Sequence, residues 1–218
     1  MKSKYRKMYG IGVNDADYKT RLHEYVDGKK VTVWRCPYYA LWSKLMYRCY
    51  SKSFHKIQPT YTNVEVCQQW HTFSNFKSWM EKQDWEGKEI DKDLLSTGSK
   101  VYSPETCVFI SHQLNMYLVS KSKEDSALPV GVSYDKERRK YKSQIGRGRG
   151  VTKALGRFNT PEEAHRAWQH AKYMYGLELL KEQDNPRVIQ AMHVILHKLG
   201  EDWAAGRETK ALIPAKTP

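Results

Sequence analysis

Two hydrophobic periods alternate along the chain, and the clearest succession lies in its third quarter. Residues 130–134, 140–145 and 154–158 alternate apolar and polar positions and are separated by charged or glycine-rich stretches, which predicts a three-stranded antiparallel meander. In its middle strand Tyr141, Ser143 and Ile145 share one face, and Lys140, Lys142 and Gln144 share the other. The period then changes. Thr160, Pro161 and Glu163 form a helix start of capping hydroxyl, first-turn proline and reciprocal carboxylate. Ala164, Ala167, Trp168, Ala171 and Tyr175 follow at helical spacing, and Gly176 stands where a C-terminal glycine cap is expected. A helix packed on the Tyr141 face leaves the lysine face open.

Upstream, residues 31–34 read as a strand, and Tyr38, Leu41, Trp42, Leu45, Met46 and Cys49 mark one face of a helix. Residues 64–66 read as a second strand and Trp70 as a core anchor. Phe73, Phe76 and Met80 predict another helix, with Trp79 beside them. Residues 90–95 and 107–110 predict two strands around a turn at 96–99, and Ser111 caps a helix carrying Leu114 and Leu118. Asn185-Pro186 opens a last helix with Val188, Met192, Ile195, Leu196, Leu199 and Trp203 in one stripe, and the tail from Arg207 reads as an unstructured end. The expected class is α+β: a ββα core with flanking helices at 1–125, a sheet packed on one helix at 126–180, and a terminal helix at 181–206 before a tail at 207–218.

Charge sharpens this picture. Residues 129–158 hold nine Lys or Arg against two acids, so they carry +7 of the formal +13, whereas residues 159–218 are neutral. Cations confined to one sheet face are the footprint of a phosphate-binding surface. Double-stranded DNA is the expected partner, a protein of acidic character the alternative, and oligomeric state is left open. No run approaches the ~18 apolar residues of a membrane span and no signal peptide is visible, so no membrane association and an intracellular location are expected. Cys36, Cys49, Cys67 and Cys107 contain no CxxC pair. Neither a disulfide framework nor a zinc ribbon is therefore indicated; the spacing of Cys49, Cys67 and Cys107 is not diagnostic of a structural site completed by a His such as His71, and zinc is not expected. His193 and His197 lie four apart without an HExxH motif, which favours a solvated face.

Two resemblances attach to these segments. Gly131-Val132, residues 141–145, Leu155-Gly156-Arg157-Phe158 and the helix start at 160–164 resemble the APETALA-type (ethylene-response-factor) DNA-binding domain. The resemblance implies a sheet laid in the major groove with a helix behind it. Ser133, Gly146 and Ala154 replace base-contacting Arg and Trp of that family, so its sequence preference does not carry over. Candidate DNA contacts are Tyr134, Lys136, Arg138, Arg139, Lys140, Lys142, Gln144, Arg147, Arg149, Lys153 and Arg157.

The second concerns residues 88–118. Asp91-Lys92, Tyr102-Ser103-Pro104-Glu105-Thr106-Cys107 and Asn115, with Arg48-Cys49-Tyr50 and Val66-Cys67 upstream, are similar to the HNH homing-endonuclease group of bacteriophages. That resemblance implies a metal-dependent nuclease core using Mg²⁺ or Mn²⁺, at work in the cytoplasm of an infected bacterial host. Candidate catalytic residues are Asp91, Lys92, Asp93, His112 and Asn115, with Asp91, Asp93, His112 and Asn115 as candidate metal ligands. Lys92 stands where the family has its general-base histidine, and an ammonium of ordinary pKa neither accepts a proton at pH 7 nor tolerates a nearby cation. Expected functions are therefore a DNA-binding protein of the homing-endonuclease type with weak or lost nicking, or an inactive binding factor acting on host replication, transcription or defence.

Overall fold

The computed structural model describes residues 7–96, 98–119, 127–148 and 150–213. In chain order the elements are β1 (Arg21–Val26), β2 (Lys29–Arg35), α1 (Pro37–Tyr50), α2 (Lys52–Ile57), β3 (Glu65–Val66), α3 (Phe73–Met80), β4 (Glu89–Asp91), β5 (Val101–Tyr102), β6 (Val108–Ile110), α4 (His112–Leu118), β7 (Val132–Asp135), β8 (Lys140–Gly146), β9 (Thr152–Phe158), α5 (Pro161–Lys181) and α6 (Pro186–Ala204). The class is α+β, as the alternating periods predict.

These elements form two compact units, one of residues 1–86 with 99–107 and one of residues 87–98 with 108–218. The division does not follow a boundary at residue 125. In the first unit α1 and α3 bury Trp42, Leu45, Met46, Phe73 and Phe76, and the Trp42 indole N–H donates to the Trp70 carbonyl at 2.7 Å. Tyr39 rather than Tyr38 completes the buried face of α1. Strands β3 and β5 pair in parallel. Strands β1 and β2 form a hairpin in which β2 extends beyond the expected 31–34 and β1 is an additional strand.

In the second unit β4 and β6 pair antiparallel, Glu89 opposite Ile110 and Asp91 opposite Val108, and α4 follows directly. The expected strand at 90–95 is cut to three residues because the Asp91 carboxylate accepts from the backbone N–H groups of Asp93 and Leu94, turning the chain. Leu114, Tyr117 and Leu118 of α4 share one core with Ile145, Trp168, Tyr175 and the α6 stripe. That shared core is why α4 belongs with the sheet. Trp203 ends the stripe still 39% exposed.

The meander is observed in the order β7-β8-β9, antiparallel throughout. Ser143 and Ile145 are buried toward α5, whose capping box at Thr160 and Glu163 is complete. Gly131, at φ 80°, leaves room for the Trp168 indole, because a Cβ there would lie 2.0 Å from the ring. His165 stacks on Trp168 and donates from Nδ1 to the Val130 carbonyl at 2.9 Å, while its Nε2 accepts the Thr209 backbone N–H at 3.0 Å. Burial holds this imidazole below its ordinary pKa, consistent with a neutral ring that needs one donor and one acceptor nitrogen. Gly176 is not a cap. It lies inside α5, where a Cβ would meet the Tyr117 hydroxyl at 2.4 Å and Leu196 at 2.5 Å, so its use is close helix approach.

Lys172 is the exception in this core. It is 2% exposed, no carboxylate lies within ion-pair distance among the described residues, and its ammonium sits 4.1 Å from the centre of the Tyr117 ring. Burial lowers its pKa to about 7.

Gly131→Ala is expected to destabilise the protein by about 3 kcal/mol, combining a left-handed backbone with overpacking against Trp168; urea unfolding reads this as a lower midpoint. Lys172 gives a pH test. Its folded pKa lies below the unfolded value of 10.5, so the folded state holds fewer protons between pH 7 and 10.5, and stability should rise across that window. Lys172→Met should flatten the rise and stabilise the protein at pH 7 by on the order of 2–4 kcal/mol; an unchanged slope in thermal melts would show that the lysine is solvated.

Candidate nucleic-acid interface and the ββα core

Register decides which side chains of the sheet share a face. Ser133, Lys142 and Arg157 lie directly opposite one another across the three strands, and Asp135 opposes Lys140. All alternate with the α5-facing residues and so sit on the open face. Gln144 opposes Ala154 on the same face. The turn at 136–139 extends this surface: Lys136, Arg138 and Arg139 are exposed, and the Asp135 carboxylate accepts the Arg138 backbone N–H at 3.2 Å, shaping the turn.

Asp135 is the acid on the strands of this face, with Glu137 exposed in the turn. It accepts from Arg157 Nε at 2.8 Å and lies 3.6 Å from Arg138. The Arg157 bond, with the Arg138 backbone N–H second, holds the carboxyl below its ordinary pKa. Lys140 donates to the Asn159 side chain, which fixes its direction.

Three expected contacts lie elsewhere. Arg147 pairs with Glu178 of α5 at 2.6 Å and stacks 4.4 Å from the Tyr175 ring centre, so it fastens the loop after β8 to the helix. Lys153 opposes Ile145 and thus falls on the α5 side, because the register slips between Ser143 and Gln144 and leaves Leu155 as an extra residue of β9. Tyr134 opposes Tyr141, also on the helix side, with the two rings 5.2 Å apart, though it stays 47% exposed. Arg149 lies outside the described residues.

In the ββα core, the candidate residues separate into two sets. His112 Nδ1 and the Asn115 side-chain amide both engage the Glu89 carboxylate, the former at 2.9 Å. Because a carboxylate only accepts, the exposed His112 side chain donates from Nδ1, and in the neutral ring Nε2 is then the acceptor. Glu89 is not among the sequence candidates; its place opposite Ile110, in reach of His112 and Asn115, depends on strand pairing that spans 21 residues. The other set is Asp91, Lys92 and Asp93. Asp91 serves the turn described above, and burial pushes its carboxyl up against the pull of those two N–H groups. Lys92 is 2% exposed and pairs with Asp93 at 2.5 Å.

Asp91, Asp93, His112 and Asn115 are thus each engaged by a partner within the protein. Among the described residues no group of three or more His, Cys, Asp or Glu side chains is gathered so as to hold an ion, and the Lys92 ammonium already neutralises Asp93. In the first unit none of the four cysteines forms a disulfide, and His71 Nε2 contacts the Val66 carbonyl at 2.9 Å.

Neither a family model, nor a curated protein, nor a solved structure matches the chain.

Lys92→Ala should lower stability by about 2–4 kcal/mol, since it removes a buried cation from its partner. His112→Ala, on a half-exposed side chain, should change it by less than about 0.5 kcal/mol. Chemical denaturation of the two variants checks the contrast, and equal effects would contradict the structural role given to Lys92.

Proposed function

We propose that this protein binds duplex DNA through the open face of β7-β8-β9. One observation carries the reading: Lys142 and Arg157 are aligned across adjacent strands on the face opposite α5, continued by Lys140, Gln144 and the exposed cations of the 136–139 turn. Phosphates are met by the cations, and Gln144 supplies an amide able to pair with an adenine edge. The opposite face is sealed by a helix, so charge on the sheet has one direction to act. No helix among the described residues is long and apolar enough to cross a membrane.

A second reading, strand cleavage of the homing-endonuclease type, is favoured by the Glu89–His112 pair. With Nδ1–H held by the carboxylate, Nε2 is an acceptor able to take a proton from water attacking a phosphodiester. Lys92 has no part in this step: buried and paired with Asp93, it supports the turn. Plasmid nicking assays with Mg²⁺ or Mn²⁺ separate the two readings. Binding without cutting supports the first alone; cutting lost in His112→Ala and Glu89→Gln but retained in a folded Lys92 variant supports the second.

Binding should weaken steeply with salt, by about 0.9 in log–log slope for each phosphate contact, so the six cations of this face predict a slope of about −5. Charge reversal of Arg138, Arg139, Lys140 and Lys142 should reduce affinity at 0.1 M salt by at least ~100-fold in fluorescence anisotropy. Affinity that is flat between low and physiological salt would remove the electrostatic basis of the proposal, and tight binding to an acidic polypeptide instead of DNA would replace it.

A further inference from the structure

The β1–β2 hairpin in the first unit has no part in the surface described above, yet its construction is unusual. Every residue of both strands is exposed. Asp27 and Gly28 form its two-residue turn with φ 49° and 75°, the paired positive values of the tight turn that matches strand twist. Its six-residue strand spans about 20 Å. A two-stranded ribbon with water on both faces is marginal on its own. Leu22, Tyr25, Val26, Val31, Val33 and Trp34 nevertheless remain 42–75% exposed on it.

The charges are placed at its two ends. At the root, Arg21 and Arg35 are direct cross-strand partners, and both guanidinium groups stand over the Tyr39 ring, 5.4 and 5.9 Å from its centre. Like charges directly opposite on a sheet repel. Among the described residues neither arginine has a carboxylate partner; Arg35 donates only to the Ser43 hydroxyl. At the tip, Lys29 and Lys30 oppose Val26 and Tyr25, one on each face. Residues 19–35 hold five Lys or Arg against two acids. An unneutralised arginine pair at one end and a lysine pair at the other, with apolar bodies between, complement an anionic partner that presents charge at intervals and a sugar-lined groove between. The major groove is about 12 Å wide and admits a two-stranded ribbon.

We infer that the β1–β2 ribbon is a second duplex-DNA contact, with Arg21 and Arg35 at its root and Lys29 and Lys30 at its tip on phosphates and Tyr25 lying along the groove. The inference rests on the DNA-binding reading and adds a contact independent of the sheet.

The test is fluorescence anisotropy of a labelled random-sequence 30-base-pair duplex across a salt series, using the full chain. Replacing Arg21, Arg35, Lys29 and Lys30 together by Gln should lower the magnitude of the salt slope by about 3–4 and weaken binding at least ~10-fold at 0.1 M salt. Lys29→Gln with Lys30→Gln, confined to the exposed tip where folding is not at stake, should lower it by about 2. Wild-type slope and affinity in the tip variant, with binding still lost in the sheet variant, overturn this inference and leave the sheet reading standing. Loss in the ribbon variants with no loss in the sheet variant supports the ribbon and sinks the sheet. A wild type that binds no duplex at low salt overturns both. Unchanged DNA binding together with a shift from dimer to monomer in sedimentation of the tip variant overturns the inference in favour of a second copy as occupant.

Discussion

The contact between Gly131 and the Trp168 indole sets the geometry of the second unit. Because residue 131 has no side chain and takes φ 80°, the chain entering β7 can pass directly over the ring. His165, stacked on the same ring, fastens the Val130 carbonyl from the helix side and the Thr209 amide from the C-terminal segment. One aromatic side chain thus positions the first strand, α5 and the segment beyond α6 together. Once α5 is fixed, Ser143 and Ile145 must face inward, and the two-residue period of β8 puts Lys142 outward. The basic face is a consequence of that burial and follows from no contact of its own.

The same dependence explains what could be read from the sequence. The meander, the Thr160 capping box, the Ser111 and Asn185 caps and the inward face of β8 are written in local period and short-range chemistry, and the structure has them. Gly176 shows the limit: a glycine after a helical stripe is locally a cap, and only Tyr117 and Leu196, from α4 and α6, make it an interior residue. Arg147 and Lys153 count equally as surface charge in sequence. A partner 31 residues away claims the first, and a slip of one residue in β9 turns the second to the other side. For the β1–β2 hairpin the signal is local, Asp27-Gly28 between alternating strands, although residues 31–34 alone read as a strand by period.

The ββα core shows a different loss. The strand order and the Ser111-capped helix follow from the residues, but the roles of the polar ones do not. Asp91 and Asn115 carry the same functional groups whether they bind an ion or hold a turn and a carboxylate. Their partners decide. Asp91 faces two backbone N–H groups and Asn115 faces Glu89, and Glu89 becomes their neighbour only when β4 is laid beside β6. Lys92 follows the rule for buried cations by pairing with Asp93, whereas Lys172 departs from it by resting on an aromatic ring.

Asp135 is the acid to be reconciled with a phosphate-binding face. Ion pairs at the solvent boundary contribute little, so its hold on Arg157 and Arg138 is weak enough for a phosphate to displace. In the meantime it restricts long side chains that would otherwise lose several rotamers on meeting DNA, a loss of about 0.5–1.5 kcal/mol for each side chain immobilised. Asn159 does the same for Lys140 without neutralising it. The acid therefore lowers the net charge of the face by one while reducing the entropy its arginines must lose. At the ribbon root, Tyr39 orients Arg21 and Arg35 with no acid paired to them among the described residues, so their charge remains available to an anion.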